Sequence, residues 1–326
     1  MLVRIFKSTQ FYPVALIVLF SIVINLIFGF VRSPQLAPNG TLFFQSITNW
    51  AVGINHWWIS LIVFILLTSQ ALHLNYVLNY HEIFFKQSWL PALFYLIFST
   101  QVSEFVQLSP LLIINTLFVF VIDKIFSLYK NKKAMGATFD AALLLAIISL
   151  IYAPAVFFIP LFFIGVTILK SISWRDLSIG VIGIIVPFLL VLVISFLNGH
   201  LLEFTNQYKN SFTSVPALVN YNFPKYILTM LVIVSLFVLA LLKLRSNYLK
   251  NVTKSRLCQQ ILLLFIILGL TMIPFSATSW LQNYMVLLIP FSSIVAYYFL
   301  DGKKIFYREL ILWILIANWT YANFFI

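Results

Sequence analysis

Glu104 is the acidic side chain best placed to do chemistry. It lies in an apolar stretch, residues 89–107, that is long enough for a membrane-spanning helix. A helix starting at residue 89 would place Glu104 about 22 Å along its axis, near the far membrane boundary. A carboxylate there marks a functional site by default and could act as a general base, with His56 as a candidate proton-exchanging partner. The competing interpretation is that Glu104 bonds a neighbouring helix or reaches water.

Few basic side chains near that boundary could hold a phosphate group. Arg32, Lys209 and Lys225 are the candidates, since guanidinium and ammonium groups form charge-assisted hydrogen bonds with phosphate. Glu203 and Tyr208 accompany Lys209 and complete the predicted substrate-binding set. The chain has one cysteine and no histidine pair at the spacing of metal ligands within one segment, so we expect no metal site and no cofactor.

The composition indicates a chain solvated largely by lipid. Hydrophobic residues make up 62% of the 326 residues and charged residues 9%, against roughly 45–50% and 25% in soluble domains. We therefore expect an all-α, polytopic transmembrane bundle that forms a single integral membrane domain, 1–326. Eleven segments approach the length of about 20 residues that a crossing needs: 12–31, 57–78, 89–107, 110–128, 136–153, 155–169, 177–197, 224–242, 257–276, 281–299 and 310–325.

The positions of the basic residues predict the orientation. With a cytoplasmic N-terminus and eleven crossings, all but Arg32, Lys209 and Lys225 of the 20 lysines and arginines fall on the inner side. This asymmetry follows the positive-inside rule. It also argues against nucleic acid as a partner, because topology and anionic lipid headgroups account for the net charge of +12.

Two predicted outer segments are long, 32–56 and 198–223. In the first, aromatic and aliphatic residues recur at helical spacing and include Trp50, Trp57 and Trp58. In the second, apolar side chains share one helical face, while Glu203 and Lys209 lie away from it. Both patterns predict amphipathic helices lying in the membrane interface.

Polar residues near the inner ends of helices have a simpler interpretation. Gln70, His73, Tyr76 and Tyr80 approximate one face of segment 57–78. Interhelical hydrogen bonds and an aromatic belt explain them better than a headgroup site does. Two aspartates, 123 and 140, follow or precede lysines and are predicted to be local charge partners.

The order of parts resembles the C-class glycosyltransferases, integral enzymes that use polyprenyl-linked sugars. The resemblance covers about residues 1–200 and leaves 201–326 as additional helices. It rests on the first outer segment and on YAPAVFFIPLFFIGVTILKSISWRDLSIGVIGIIVPFLL, residues 152–190, with its prolines and its basic turn. In that class an acid in the first outer loop is the expected base or metal partner. Segment 32–56 contains no acidic residue, so the resemblance assigns that role to Glu104.

A second resemblance, in length and in the general pattern of apolar and polar residues, is to an uncharacterised family of polytopic inner-membrane proteins of Bacteroidota. It implies a multi-pass protein of a bacterial inner membrane and implies no activity. Protein partners remain unpredicted, while membrane lipids and a polyprenyl phosphate are the expected lipid partners.

Two functions stay open at this point. The first is transfer of a group from a lipid-phosphate donor at the outer face. The second is a non-catalytic scaffold or accessory subunit of an envelope complex, so the chain is not assigned as an enzyme. A transporter is disfavoured, because the sequence has no internal repeat and few deeply placed charges.

Overall fold

The computed structural model describes residues 2–7, 10, 12–31, 54–131, 134–170, 173–213, 223–275, 280–301 and 305–324. These residues form an all-α protein with thirteen α-helices. In chain order, α1 to α13 are Leu2–Phe6, Tyr12–Val31, His56–Tyr80, Leu90–Ser99, Pro110–Phe126, Met135–Ile151, Ile159–Leu169, Trp174–Leu197, Leu201–Thr213, Phe223–Ser246, Thr253–Met272, Trp280–Asp301 and Ile305–Phe324.

Within these described ranges, five stretches are long and apolar enough to cross a membrane: Trp57–Tyr80, Trp174–Leu197, Ile227–Ser246, Thr253–Phe275 and Gln282–Asp301. Each coincides with a predicted crossing, and together they make the chain a multi-pass membrane protein. The other predicted segments are also helical, although several are shorter. The total of eleven crossings and their orientation stay predictions.

The prediction of one continuous helix over 89–107 is wrong, because α4 ends at Ser99. The physical reason is local hydrogen bonding. The hydroxyls of Ser99 and Thr100 both donate to the carbonyl oxygen of Leu96, at 3.2 and 2.6 Å. Such back-bonds compete with helix continuation. Residues 100–109, the α4–α5 connection, contain one short 3-10 helix, Ser103–Val106.

Buried polar side chains join α3, α4 and α5. The Gln70 amide donates to the Leu112 carbonyl oxygen at 2.8 Å and to the Thr116 hydroxyl at 2.7 Å. It also accepts from the Tyr95 hydroxyl at 2.6 Å. The interhelical role predicted for Gln70 is therefore confirmed. Farther along α3, Tyr76 and Tyr80 stack on each other and are exposed.

Basic residues meet at one end of the bundle. The Lys7 ammonium donates to the Leu300 carbonyl oxygen at 3.1 Å, and Lys243 pairs with Asp301 at 3.0 Å. Burial, together with the nearby charges of Arg308 and Lys86, lowers the pKa of Lys7 to about 8. We call this end, marked by Lys7, Lys86, Lys243 and Arg308, the basic end.

The predicted local charge partners also lie within this packing. Asp140 has a lysine partner, as predicted, but the partner is Lys124, at 2.9 Å, whereas the sequence had suggested lysines 132 and 133, which lie outside the described residues. Asp123, predicted to pair with Lys124, instead bonds His81, the residue that follows α3, at 2.8 Å. The ends of α3 and α5 contact each other, which brings His81 close to Asp123 in space although the two residues are far apart in sequence. Sequence proximity alone therefore pointed to a different partner for Asp123.

Candidate functional site

The α4–α5 connection places the backbone of Glu104 partway along the bundle. At its start, α4 is tied to α1, because the Trp89 amide donates to the Phe6 carbonyl oxygen at 2.9 Å. The 10 residues of α4 advance only about 15 Å, half of a hydrocarbon core of about 30 Å. The connection therefore begins about 15 Å from the start of α4, where the regular helix that was expected to carry Glu104 has already ended. The Glu104 side chain is outside the described atoms.

The connection is buried although it is not a regular helix. Gln101, Val102, Phe105 and Val106 are all buried. Both polar side-chain atoms of Gln101 lack a hydrogen-bond partner among the residues that the structure describes. Burying an amide without hydrogen-bond partners costs free energy of desolvation. Gln101 therefore places polar atoms that can still bond a ligand or water within an apolar interior.

The last helix, α13, supplies hydrogen-bond donors to the start of the connection. The Trp319 indole nitrogen donates to the Thr100 hydroxyl at 3.0 Å, and the Asn323 amide donates to the Thr100 carbonyl oxygen at 3.2 Å. Sequence reasoning missed these contacts, which join residues more than 200 positions apart. The only available signal was the polar pattern of Asn318, Trp319 and Asn323 near the end of an apolar helix.

An apolar groove of about 270 Å³ leads along the bundle to this polar cluster. Its walls come from α1, α2, α4 and α13. They include Phe20 on α2, Ile97 on α4, and Ile316 and Trp319 on α13. Trp319 therefore belongs both to the groove and to the cluster that bonds Thr100, so the groove ends beside the connection.

His56, the predicted partner of Glu104, begins α3. The 3-10 turn Ser103–Val106 packs against α3 and α12, so the two residues lie on contacting elements. Along α3, however, His56 is 14 residues from Gln70, or about 21 Å. Gln70 contacts Tyr95, which lies only five residues before Thr100. The start of the connection is therefore near the level of Gln70 and far along α3 from His56. The His56 side chain lies outside the described atoms, and its pairing with Glu104 stays a prediction.

Helix α9 carries three of the predicted substrate-binding residues. Glu203 and Lys209 are exposed, and Glu203 pairs with His200 at 2.9 Å. The Tyr208 ring lies between those of Phe204 and Phe212, with ring centroids 6.0 and 5.5 Å away, and its contact with Phe212 is edge-to-face. The amphipathic face predicted for this helix is therefore confirmed.

The Tyr208 hydroxyl is buried and has no hydrogen-bond partner within the described ranges. Burial raises the pKa of this phenol to about 12, so Tyr208 stays a neutral donor at physiological pH. Helix α9 packs against α8 and the turns 153–158 and 273–275. These neighbours differ from those of the turn that carries Glu104. The predicted substrate-binding residues on α9 and the predicted catalytic residue Glu104 therefore belong to different parts of the structure.

The remaining predicted residues are only partly placed. Arg32 and the first long segment up to residue 53 are outside the described residues, as is the interfacial helix predicted there. Lys225 lies in the first turn of α10, although its side chain is not described. Among the described residues, no group of three or more His, Cys, Asp and Glu is arranged to hold a metal ion.

Comparison with known proteins gives one match. The model of a family of unknown function, DUF6427, matches residues 41–325. No curated protein matches the chain, and no solved structure matches it. The matched range includes the α4–α5 connection, α9 and both residues of α13 that bond Thr100.

Proposed function

We propose that this chain, which belongs to the DUF6427 family of unknown function, transfers a group from a lipid-phosphate donor in a bacterial inner membrane. The observation that carries this proposal is the buried α4–α5 connection, which brings an acidic residue partway along the bundle. Irregular backbone at membrane depth is tolerated only where protein or a water-filled cavity surrounds it. Interrupted helices build substrate sites in other membrane proteins for this reason.

The groove between α2, α4 and α13 supports a donor with a long apolar chain, such as a polyprenyl phosphate. Its walls are almost entirely apolar side chains, and its end reaches Trp319. An isoprenoid chain lying there would bring its phosphate end toward Thr100 and the connection. Arg32, Lys209 and Lys225, the basic residues predicted for the outer face, would then bind the phosphate through charge-assisted hydrogen bonds, with Lys209 contributed by a separate part of the bundle.

In the proposed reaction, the oxygen of an acceptor hydroxyl forms the new bond to the transferred group. The bond between that group and the donor phosphate oxygen breaks, and the lipid phosphate leaves with the electron pair. Glu104 takes up the hydroxyl proton as general base. The layout resembling the C-class glycosyltransferases favours a sugar as the transferred group.

The proposed orientation has the basic end in the cytoplasm and eleven crossings. We expect reporters fused after residues 132 and 250 to be cytoplasmic, and reporters after residues 210 and 326 to be periplasmic, because the basic residues are so unevenly distributed. A phosphatase reporter and a fluorescent reporter, read in parallel at each position, measure this. If the reporter at residue 326 is cytoplasmic and the others are as expected, the chain crosses the membrane one time fewer than predicted.

The test of the chemistry is complementation of a deletion strain by Glu104→Gln. Glutamine keeps the size and hydrogen-bonding capacity of glutamate but cannot take up a proton. If Glu104 is the base, activity should fall by about 10²–10⁴-fold at normal membrane abundance. Glu309→Gln, a change on α13 beside Arg308 at the basic end, is the matched control and should complement fully.

One observation favours the second candidate, a non-catalytic scaffold. The elements that carry Glu104 and Lys209 pack against different neighbours, so the base and a phosphate-binding residue come from separate parts of the bundle. A double variant, Glu104→Gln with His56→Ala, separates the two functions. Full complementation by the double variant at normal abundance would overturn the catalytic proposal and leave the scaffold.

A further inference from the structure

A cavity of about 440 Å³, with several polar and charged side chains in its walls, opens at the basic end. It lies between the turn that follows α3, the segment joining α10 to α11, and the end of α12. Its walls include Asn79, Glu82, Lys250, Asn251, Lys254 and Tyr297. None of the described side chains of the α4–α5 connection lines these walls, so the cavity is treated as separate from the site of the proposed reaction.

A chain of hydrogen bonds fixes the cavity walls. The Tyr297 hydroxyl donates to the Asn251 side-chain oxygen at 3.0 Å, and the Asn251 amide donates to Gln259 at 3.2 Å. Gln259 in turn donates to Ser255 at 3.2 Å, whose hydroxyl bonds the Ile83 carbonyl oxygen on the opposite wall. The polar groups are therefore held in place before any ligand binds.

The turn carrying Glu82 is held in an unusual backbone conformation. Glu82 has a φ of +53°, which is uncommon for a residue other than glycine. The Asn79 side chain fixes the turn by bonding both the carbonyl oxygen and the amide of Ser88, at 3.0 and 3.3 Å. Strain of this kind concentrates at ligand sites, where the surrounding structure maintains it.

The charges facing the cavity are not balanced. Asp301 is already engaged, since Lys243 pairs with its carboxylate at 3.0 Å and the Asn247 amide donates to it. Lys250 and Lys254 form no ion pair with any carboxylate in the described part of the chain, and Glu82 lies exposed at the rim. Two unpaired ammonium groups against one carboxylate leave a net positive charge, which favours an anionic ligand.

Large apolar side chains are exposed beside the two lysines. Leu249 is 83% exposed and Val252 74% exposed, and Phe85 at the rim is also exposed. Exposed apolar groups next to lysines suit a position at the boundary between lipid tails and headgroups. These side chains favour a position of the cavity mouth at the level of phospholipid headgroups.

We propose that this cavity binds a phosphate ester with a small hydroxylated substituent, of the kind found in a phosphatidylglycerol headgroup. Lys250 and Lys254 hold the phosphate, and the Glu82 carboxylate accepts hydrogen bonds from the hydroxyls. A singly charged phosphate diester brings the local charge to neutrality. The same chemistry occurs in a soluble phosphate ester, so the test contains both sources.

The experiment measures binding to the full chain in detergent micelles. The probes are fluorescent phosphatidylglycerol, with phosphatidylcholine as the zwitterionic comparison that carries no net charge, and soluble glycerol 1-phosphate as competitor. We expect Lys250→Gln to weaken phosphatidylglycerol binding about fivefold and the double change with Lys254→Gln about 25-fold. Lys250 is exposed, so the single variant should fold normally, which its elution volume and melting temperature check.

The matched control removes two positive charges from the same end outside the cavity, by Lys130→Gln and Arg245→Gln. Both residues are exposed. An equal loss of affinity in this control would show general attraction to the anionic lipid surface and overturn the proposal, as would unchanged binding in the Lys250→Gln variant. Full competition by glycerol 1-phosphate would support the phosphate-ester site with a soluble source, and lack of competition would support it with a lipid source. None of these outcomes depends on Glu104.

Discussion

Replacing Gly183 with leucine should force α8 away from α6 and sharply reduce the amount of folded protein. A Cβ atom added at Gly183 would lie 3.0 Å from the Cβ of Ala142 and 3.0 Å from the backbone oxygen of Phe139. Both distances are shorter than ordinary van der Waals contact, and a leucine adds three further carbons. Close helix packing through small residues drives association within membranes, and overpacking typically costs about 1–3 kcal/mol.

Gly136 provides the matched control. It lies on α6, the helix that Gly183 of α8 packs against, and a Cβ atom added at Gly136 meets nothing within 4 Å. The melting temperature in detergent, read by fluorescence-detected size exclusion after heating, should fall for Gly183→Leu and stay close to that of the native protein for Gly136→Leu. Similar melting temperatures for the two variants would show that α6 and α8 do not depend on this close contact.

Hydropathy predicted most helices of this fold because a membrane crossing is a local property of about 20 consecutive residues. Segments 57–78 and 177–197 correspond to α3 and α8 for that reason. The break after Ser99 was not predictable in the same way. Residues 100–109 are more polar than α4, since six of these ten residues are Thr, Ser, Gln or Glu. Hydroxyl bonds to backbone carbonyl oxygens also occur inside continuous helices such as α3 and α12, so composition alone does not place the break.

The candidate sites depend on contacts that no local pattern reveals. Glu104 was recognised because an acid in an apolar segment is conspicuous, whereas the contact between Thr100 and Trp319 forms only through tertiary packing. At the basic end, the sequence accounts for Lys250 and Lys254 as topology signals like the other basic residues. Only the folded chain distinguishes them, because Lys243 is paired and these two are not.

The second large effect is expected at the buried ion pair between Lys170 and Asp176. Their side chains are only 4% and 8% exposed, and the ammonium nitrogen lies 2.8 Å from the carboxylate. Removing one partner of such a pair leaves an uncompensated buried charge, which costs about 3–5 kcal/mol. Replacing both residues with apolar ones, Lys170→Met with Asp176→Leu, should cost much less, since neither charge then remains.

The two single variants should not be equal. Without Lys170, the Asp176 carboxylate still accepts from the Ser173 hydroxyl at 2.7 Å and lies in the first turn of α8, where the helix dipole favours a negative charge. Without Asp176, the Lys170 ammonium keeps only the Thr138 hydroxyl at 3.5 Å among the hydrogen bonds described for it. We therefore expect Asp176→Leu to lower the melting temperature more than Lys170→Met, and the double variant to recover most of the loss. Additive losses in the double variant would show that the pair is not coupled, and the buried-charge explanation would then be wrong.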